Sequence, residues 1–319
     1  MNRKVLTLSL IALITISSSV GAQIAGVIIN PVQQEVVYIK GVKFVDALLE
    51  KWISEYSKEH PGISLSITGK EAHEHSIEVV PFGIQDDSVV QAQTTIVSFG
   101  KYAILPIAGR NNALPDEFKK KKLNEKRIKE LFFEKDALAD DYEPNKKEKY
   151  DATVYSGNGS YSIARSFAGH FGYETIDLKG KKIAGDDIYL NNAVKKDDKG
   201  VSFNNLNYVF NTESRKLNDG IVLLPLDVKK EYAEILDALN LDKTIDLLEN
   251  RNINLIPVEE LTFVLPKKVN PEILRFLEWT LSKGQDYIHS FGFLQLDTKT
   301  LAQQRKQISD IGTKLLVNK

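Results

Sequence analysis

Glu35-Val36-Val37-Tyr38-Ile39-Lys40-Gly41-Val42-Lys43-Phe44-Val45-Asp46-Ala47-Leu48-Leu49-Glu50-Lys51-Trp52-Ile53-Ser54-Glu55-Tyr56 is the stretch that sets the fold class. Residues 35–39 form an apolar run with β-branched and aromatic side chains, which predicts a buried strand. Lys40-Gly41 turns the chain. From about residue 44 to 58, Val45, Leu48, Leu49, Trp52, Ile53 and Tyr56 recur at helical spacing and predict a helix with one apolar face. His60-Pro61-Gly62 ends it, because proline cannot continue the ladder and glycine permits the turn. Residues 63–68 then alternate apolar and polar, as a half-buried strand does. Strand, helix and strand in that order predict parallel strands with helices on the faces of the sheet.

Beyond this unit, residues 77–82, 95–99 and 102–107 read as further strands. A basic helix is expected over 118–133, most simply as a solvated face, and 140–147 reads as a loop. A strand at 153–155 and a helix over 160–172, with Ile163, Phe167 and Phe171 on one face, repeat the first pattern. Residues 182–185, 208–210, 221–225, 255–257 and 261–266 are strand-like. Helices are expected over 230–248 (with a break near Asn240), 273–284 and 298–316. Pro271 sits where a helix start tolerates it.

The 319 residues are long enough for two cores. With 42 basic and 43 acidic side chains, the net charge is −1, which disfavours a general nucleic-acid binder. The absence of cysteine excludes disulfides, thiolate metal sites, thiol nucleophiles and a lipid-bearing cysteine. Met1-Asn2-Arg3-Lys4 is basic, residues 5–20 are uncharged, and Val20-Gly21-Ala22 gives the small-x-small pattern of a cleavage site. Residues 1–22 therefore read as a secretory signal, with cleavage before Gln23. The chain beyond it carries 40 basic and 43 acidic groups and no later apolar run long enough to span a bilayer. A soluble exported protein without an anchor points to a periplasm.

Two strand-to-helix junctions carry the candidate chemistry. At the first, Lys40, Gly41, Val42 and Lys43 lead into the helix at Phe44. At the second, Ser156, Asn158, Gly159, Ser160, Tyr161 and Ser162 lead into a helix bearing Arg165. A helix start presents unpaired N–H groups and the positive end of its dipole, so it attracts anions. Glycine lets backbone approach a ligand, serine hydroxyls add donors, and Arg165 offers a forked pair of charge-assisted donors. A serine N-cap after a glycine turn is the commoner account of one such junction taken alone. Two that face each other would make a ligand site.

Three blocks then carry a family likeness: Trp52-Ile53-Ser54-Glu55-Tyr56-Ser57-Lys58-Glu59-His60-Pro61; Ser156-Gly157-Asn158-Gly159-Ser160-Tyr161-Ser162 with Phe167 beyond; and Phe276-Leu277-Glu278-Trp279-Thr280-Leu281-Ser282-Lys283-Gly284-Gln285-Asp286-Tyr287-Ile288 followed by Phe291-Gly292-Phe293-Leu294. With these the chain resembles the periplasmic phosphate-binding component of ABC phosphate importers, among the two-domain solute-binding proteins. The resemblance implies an α/β, two-lobed periplasmic-binding-protein fold, each lobe a mixed or parallel sheet flanked by helices. It implies two hinge crossings, near residues 104–110 and 254–263. Lobe one would be residues 23–105 and 258–319, and lobe two residues 106–257. It further implies a binder rather than an enzyme, no cofactor, a phosphate-like inorganic or small organic anion as ligand, and an ABC permease in the inner membrane as partner.

The ligand loops depart from the family pattern. Gly41-Val42-Lys43 stands where a Gly-Ser-Thr-like turn is typical, and the loop after Thr68 is short. Ser156 replaces an arginine and Asn158 an acid. A carboxylate there would accept the proton of hydrogen phosphate and reject fully ionised oxyanions. These departures keep open a second reading, an envelope interaction protein that retains the scaffold without an anion site. Glu71, His73, Glu74 and His75 carry metal-ligand types but read as a solvated loop. Ser160 and His170 lie too far apart along one helix for a nucleophile–base pair.

Overall fold

The computed structural model describes residues 36–68, 77–81, 95–134, 149–267 and 269–317, all within the compact unit Glu35–Lys319. The expected leader at 1–22, Phe82, the histidines at 73 and 75 and the loop at 140–147 lie outside those residues. The opening stretch folds as a right-sized β–α–β unit: β1 (Val36–Lys40), a short 3-10 turn (Lys43–Val45), α1 (Asp46–Glu59) and β2 (Ser64–Thr68). β1 pairs in parallel with β2 on one side and with β3 (Ile77–Pro81) on the other.

β4 (Thr95–Gly109) fuses the two expected strands into a single 15-residue element. Its register shifts between Ser98 and Gly100, and the Ser98 N–H turns out of the ladder to Gln304 Oε1 at 2.9 Å. The expected basic helix divides into α2 (Leu114–Lys120) and α3 (Glu125–Phe132). Leu123 breaks it by bonding to Pro225 O, and the Asn124 side chain caps the second piece by accepting from Arg127 N.

The second half repeats the first. β5 (Thr153–Gly157), α4 (Ile163–His170), β6 (Lys181–Ile183) and α5 (Ile188–Lys195) lead to β7 (Gly200–Asn205). β5 pairs in parallel with β6 and β7. Residues 208–210, read as strand, instead close a helical turn, α6 (Leu206–Val209), because the Asn205 side chain accepts from Tyr208 N. β8 (Ile221–Leu223), α7 (Lys230–Asp237) and α8 (Leu241–Asn250) follow, with the expected break at Asn240. β9 (Val258–Leu265), α9 (Pro271–Thr280) and α10 (Thr298–Val317) complete the chain.

The strand order is β2-β1-β3-β9-β4-β7-β5-β6, with β8 on β4. Two parallel triplets thus flank an antiparallel centre of β9 and β4. β4 pairs with β9 over residues 95–103 and with β7 and β8 over 104–109. The first triplet is sealed by aromatics: Trp52 lies edge-on to Phe99 at 5.4 Å, and Tyr56 edge-on to Phe276 at 5.3 Å. Trp52 Nε1 donates to Gly284 O at 2.8 Å, which ties α1 to the segment after α9. In the second, Phe167 stacks on Phe203 with ring centroids 3.8 Å apart, and Phe132 meets both edge-on. Each fully buried phenylalanine contributes roughly 1.5–3 kcal/mol. Among the described residues no helix is long and apolar enough to cross a membrane.

Candidate functional site

In open α/β sheets ligands sit beyond the carboxyl ends of parallel strands. Both junctions singled out in the sequence occupy such ends, after β1 and after β5. Gly41 is closely packed there: a Cβ would lie 2.9 Å from Asp46 Oδ1 and 3.1 Å from Leu49 Cδ1, so both side-chain ends would have to shift. The 3-10 turn that follows has Val42 at its N-cap with no side-chain cap, so its leading amides are left to water or a ligand. Phe44 is buried beneath the turn, its ring 5.2 Å from that of Tyr102, and Asn207 Nδ2 donates to Phe44 O at 2.6 Å.

At the second junction a Cβ on Gly157 would fall 2.1 Å from Ser162 Oγ and 2.5 Å from Asp187 Oδ1. Ser162 N donates to Gly159 O at 3.0 Å, and Ser162 Oγ caps α4 by accepting from Ala164 N at 3.2 Å. A third segment, Gly185-Asp186-Asp187, enters from the end of β6. Asp187 is buried and accepts from Ser162 Oγ at 2.7 Å and from Ile163 N at 3.0 Å. Burial pushes its carboxyl up to about 6, against the pull of those two bonds. Asp186 accepts from Tyr208 O–H at 3.0 Å and from Ile188 N at 3.1 Å, and the carboxylate beside it pushes the Tyr208 phenol up, after burial.

These three segments enclose one cavity of about 190 Å³, lined by residues 41–44, 159–162 and 185–187. Gly41, Val42 and Lys43 thereby meet Gly159, Ser160, Tyr161 and Ser162. Lys40 sits beside them: its ammonium contacts Glu78 Oε1 at 2.8 Å, the same oxygen receives the Tyr161 hydroxyl, and the ammonium lies 5.6 Å from the Tyr161 ring centroid. The Lys43 ammonium pairs with Asp46 Oδ2 at 2.9 Å, and that bond raises its pKa.

Four of the expected residues, Lys40, Ser156, Asn158 and Arg165, do not line the cavity. Ser156 is fully buried and receives Lys182 Nζ at 3.1 Å. Asn158 is exposed, with its N–H on Ile183 O. Arg165 is exposed on α4. Sequence reasoning missed Phe44, Gly185, Asp186 and Asp187. The available signal was Gly185 at the end of the strand-like residues 182–185, with two acids after it and the apolar residues 188–190 beyond, a third junction.

No family model and no curated protein matches the sequence. Solved structures do match the fold. A substrate-binding protein from Clostridium perfringens, solved with bound phosphate, superposes with a TM-score of 0.54 at 15% identity, over 82% of this chain and 100% of that one. An ABC-type phosphate transport receptor from Vibrio cholerae gives 0.50 at 11% identity, again over 82% and 100%. The chain has the two-lobed α/β fold of periplasmic binding proteins.

Proposed function

We propose that this chain is an exported solute-binding protein of the phosphate-binding kind, which captures one small oxyanion between its lobes and presents it to an ABC permease in the inner membrane. In this reading the lobes are residues 23–105 with 258–319, and residues 106–257, closing about the crossings at 104–110 and 254–263. The observation that carries it is the meeting of the two junctions on one cavity of about 190 Å³. That is below the roughly 300–1,000 Å³ of sites for drug-sized ligands, so a single small ion suits it better than a peptide or nucleotide.

The wall also selects. Uncapped amides and the dipole of α1 at residues 42–44, the Ser160 hydroxyl and Lys43 favour negative charge. Asp186 and Asp187 oppose it unless the ligand brings a proton for a carboxylate to accept. Phosphate carries such a proton at neutral pH and sulfate does not. The acid absent at Asn158 is thus supplied from residues 186–187. The arrangement suits binding rather than catalysis: the Ser162 hydroxyl that donates to Asp187 also caps α4 by accepting from Ala164 N, so it is held in the fold.

One observation favours the second reading, an envelope protein that keeps the scaffold without an anion site. The first amides of α4, at Ile163 and Ala164, are already taken by Asp187 and Ser162. Calorimetric titration of the secreted chain separates the two. Saturable one-site binding of phosphate supports capture. Absence of heat or thermal shift with any small oxyanion at millimolar concentration removes it and leaves the second reading.

A further inference from the structure

A larger cavity, about 560 Å³, shares no lining residue with the cleft. It opens between the end of β4, the stretch from β8 to Leu226, and helices α2 and α7. Its floor is apolar: Leu105, Leu224, Leu226 and Leu236 are buried, and Val222 and Leu223 are half-buried. At its mouth stands Leu239, just past the end of α7, with φ +49° and 37% of its surface exposed. Glycine takes that backbone conformation freely after a helix, whereas a non-glycine residue in it costs about 1–2 kcal/mol. A leucine held there, against both its backbone preference and its exposure to water, places hydrocarbon at the lip of the cavity.

The rim adds charge. Arg110, Lys119 and Lys122 line it with Asp116 and Asp237, and Asp219 pairs with Arg110 from outside the lining, so the charges balance in number. Lys119 pairs with Asp116 at 2.8 Å, and Arg110 reaches the exposed Asp219 at 3.3 Å. The half-buried Lys122 has no acidic partner among the described residues. We propose that this cavity binds an amphiphile with one anionic head and a hydrocarbon body, of the class of long-chain carboxylates, its tail on the leucine floor and its head at Lys122. Its volume lies in the range of small-molecule sites, roughly 300–1,000 Å³.

The test titrates the full chain, below the micelle threshold, with dodecanoate, with dodecyltrimethylammonium (same tail, opposite head) and with acetate (same head, no tail). Dodecanoate binds saturably at one site, the cationic amphiphile at least about tenfold more weakly and acetate not at all, as a head-and-tail site requires. Lys122→Glu weakens dodecanoate by about tenfold or more. Leu239→Gly leaves the chain as stable or more so while weakening dodecanoate severalfold. Excess phosphate leaves the dodecanoate affinity unchanged, which keeps this result separate from that of the cleft. Equal binding of the two amphiphiles, indifference to both substitutions, or displacement by phosphate overturns the proposal. So does a dimer by sedimentation that Val222→Asp dissolves, since a second copy would then fill the cavity.

Discussion

Burying Asp187 beside the cleft has a measurable consequence for stability. Its carboxyl rises from the ordinary 3.8 to about 6, first because burial penalises the charge and despite bonds from Ile163 N and Ser162 Oγ. The folded state therefore holds the proton more tightly than the unfolded chain does. Stability from this group is full below pH 3.8, falls as pH rises towards about 6, and is flat beyond. A shift of about two units at ~1.4 kcal/mol each amounts to about 3 kcal/mol. In Asp187→Asn the titrating proton is gone. The amide oxygen keeps one of the two donors while its NH2 opposes the other, a pH-independent cost of about 1–3 kcal/mol. Urea unfolding of both proteins between about pH 4 and pH 7.5 separates these effects, because only the titration changes with pH. The stability of the native sequence relative to the variant should fall by about 3 kcal/mol across that range. Parallel curves would refute the reasoning, since they would mean that Asp187 titrates alike in the folded and unfolded chain.

Two further outcomes follow from the same structure. His289 is raised above 6.5, chiefly by its 2.8 Å bond to Glu249; burial and Arg215 oppose this, and Asp242 assists. Its contribution is complete below 6.5 and lost as pH rises through the raised value. His289→Gln should therefore lower the urea midpoint in mild acid and leave it unchanged in mild alkali, and an equal loss at both would contradict the ion pair. Gly180 has φ +78°, and a Cβ there would lie 2.2 Å from Val154 O, whereas one on Gly169 would meet nothing within 4 Å. Gly180→Ala should cost about 1–3 kcal/mol and Gly169→Ala should gain about 0.5–1 kcal/mol in thermal unfolding. Equal effects would show that the approach of residue 180 to β5 is loose.

How much of this was legible in the sequence depended on whether a local pattern was enough. The β1–α1–β2 unit declared itself because α1 buries one face and exposes the other. The block from Phe276 to Ile288 did so because it supplies the aromatics and the carbonyl that α1 packs against. β7 did not. Its burial is complete along Gly200–Asn205, yet three of its residues are polar. Ser202 Oγ donates to Tyr155 O, and Asn204 Nδ2 to Asp187 O and Asn191 Oδ1, bonds that exist only once β5 and α5 are in place. The turn at Leu206–Val209 was hidden for the same reason, because its cap is the last residue of β7. At the site, strand-helix junctions marked residues 41–43 and 159–162. The acids at 186 and 187 join them only through the pairing of β5 with β6. The position of Arg165 opposite Ile163 and Phe167 placed it on the outer face of α4, but a helical face does not say what lies before it.

Calorimetry of phosphate against sulfate near pH 7 tests most directly whether three strand ends build a site for a proton-bearing oxyanion. The carboxylates of Asp186 and Asp187 predict saturable binding of phosphate at one site and a preference over sulfate of about a hundredfold, the factor that roughly 3 kcal/mol of like-charge repulsion gives. Equal affinity for the two ions, or binding of neither, would contradict it.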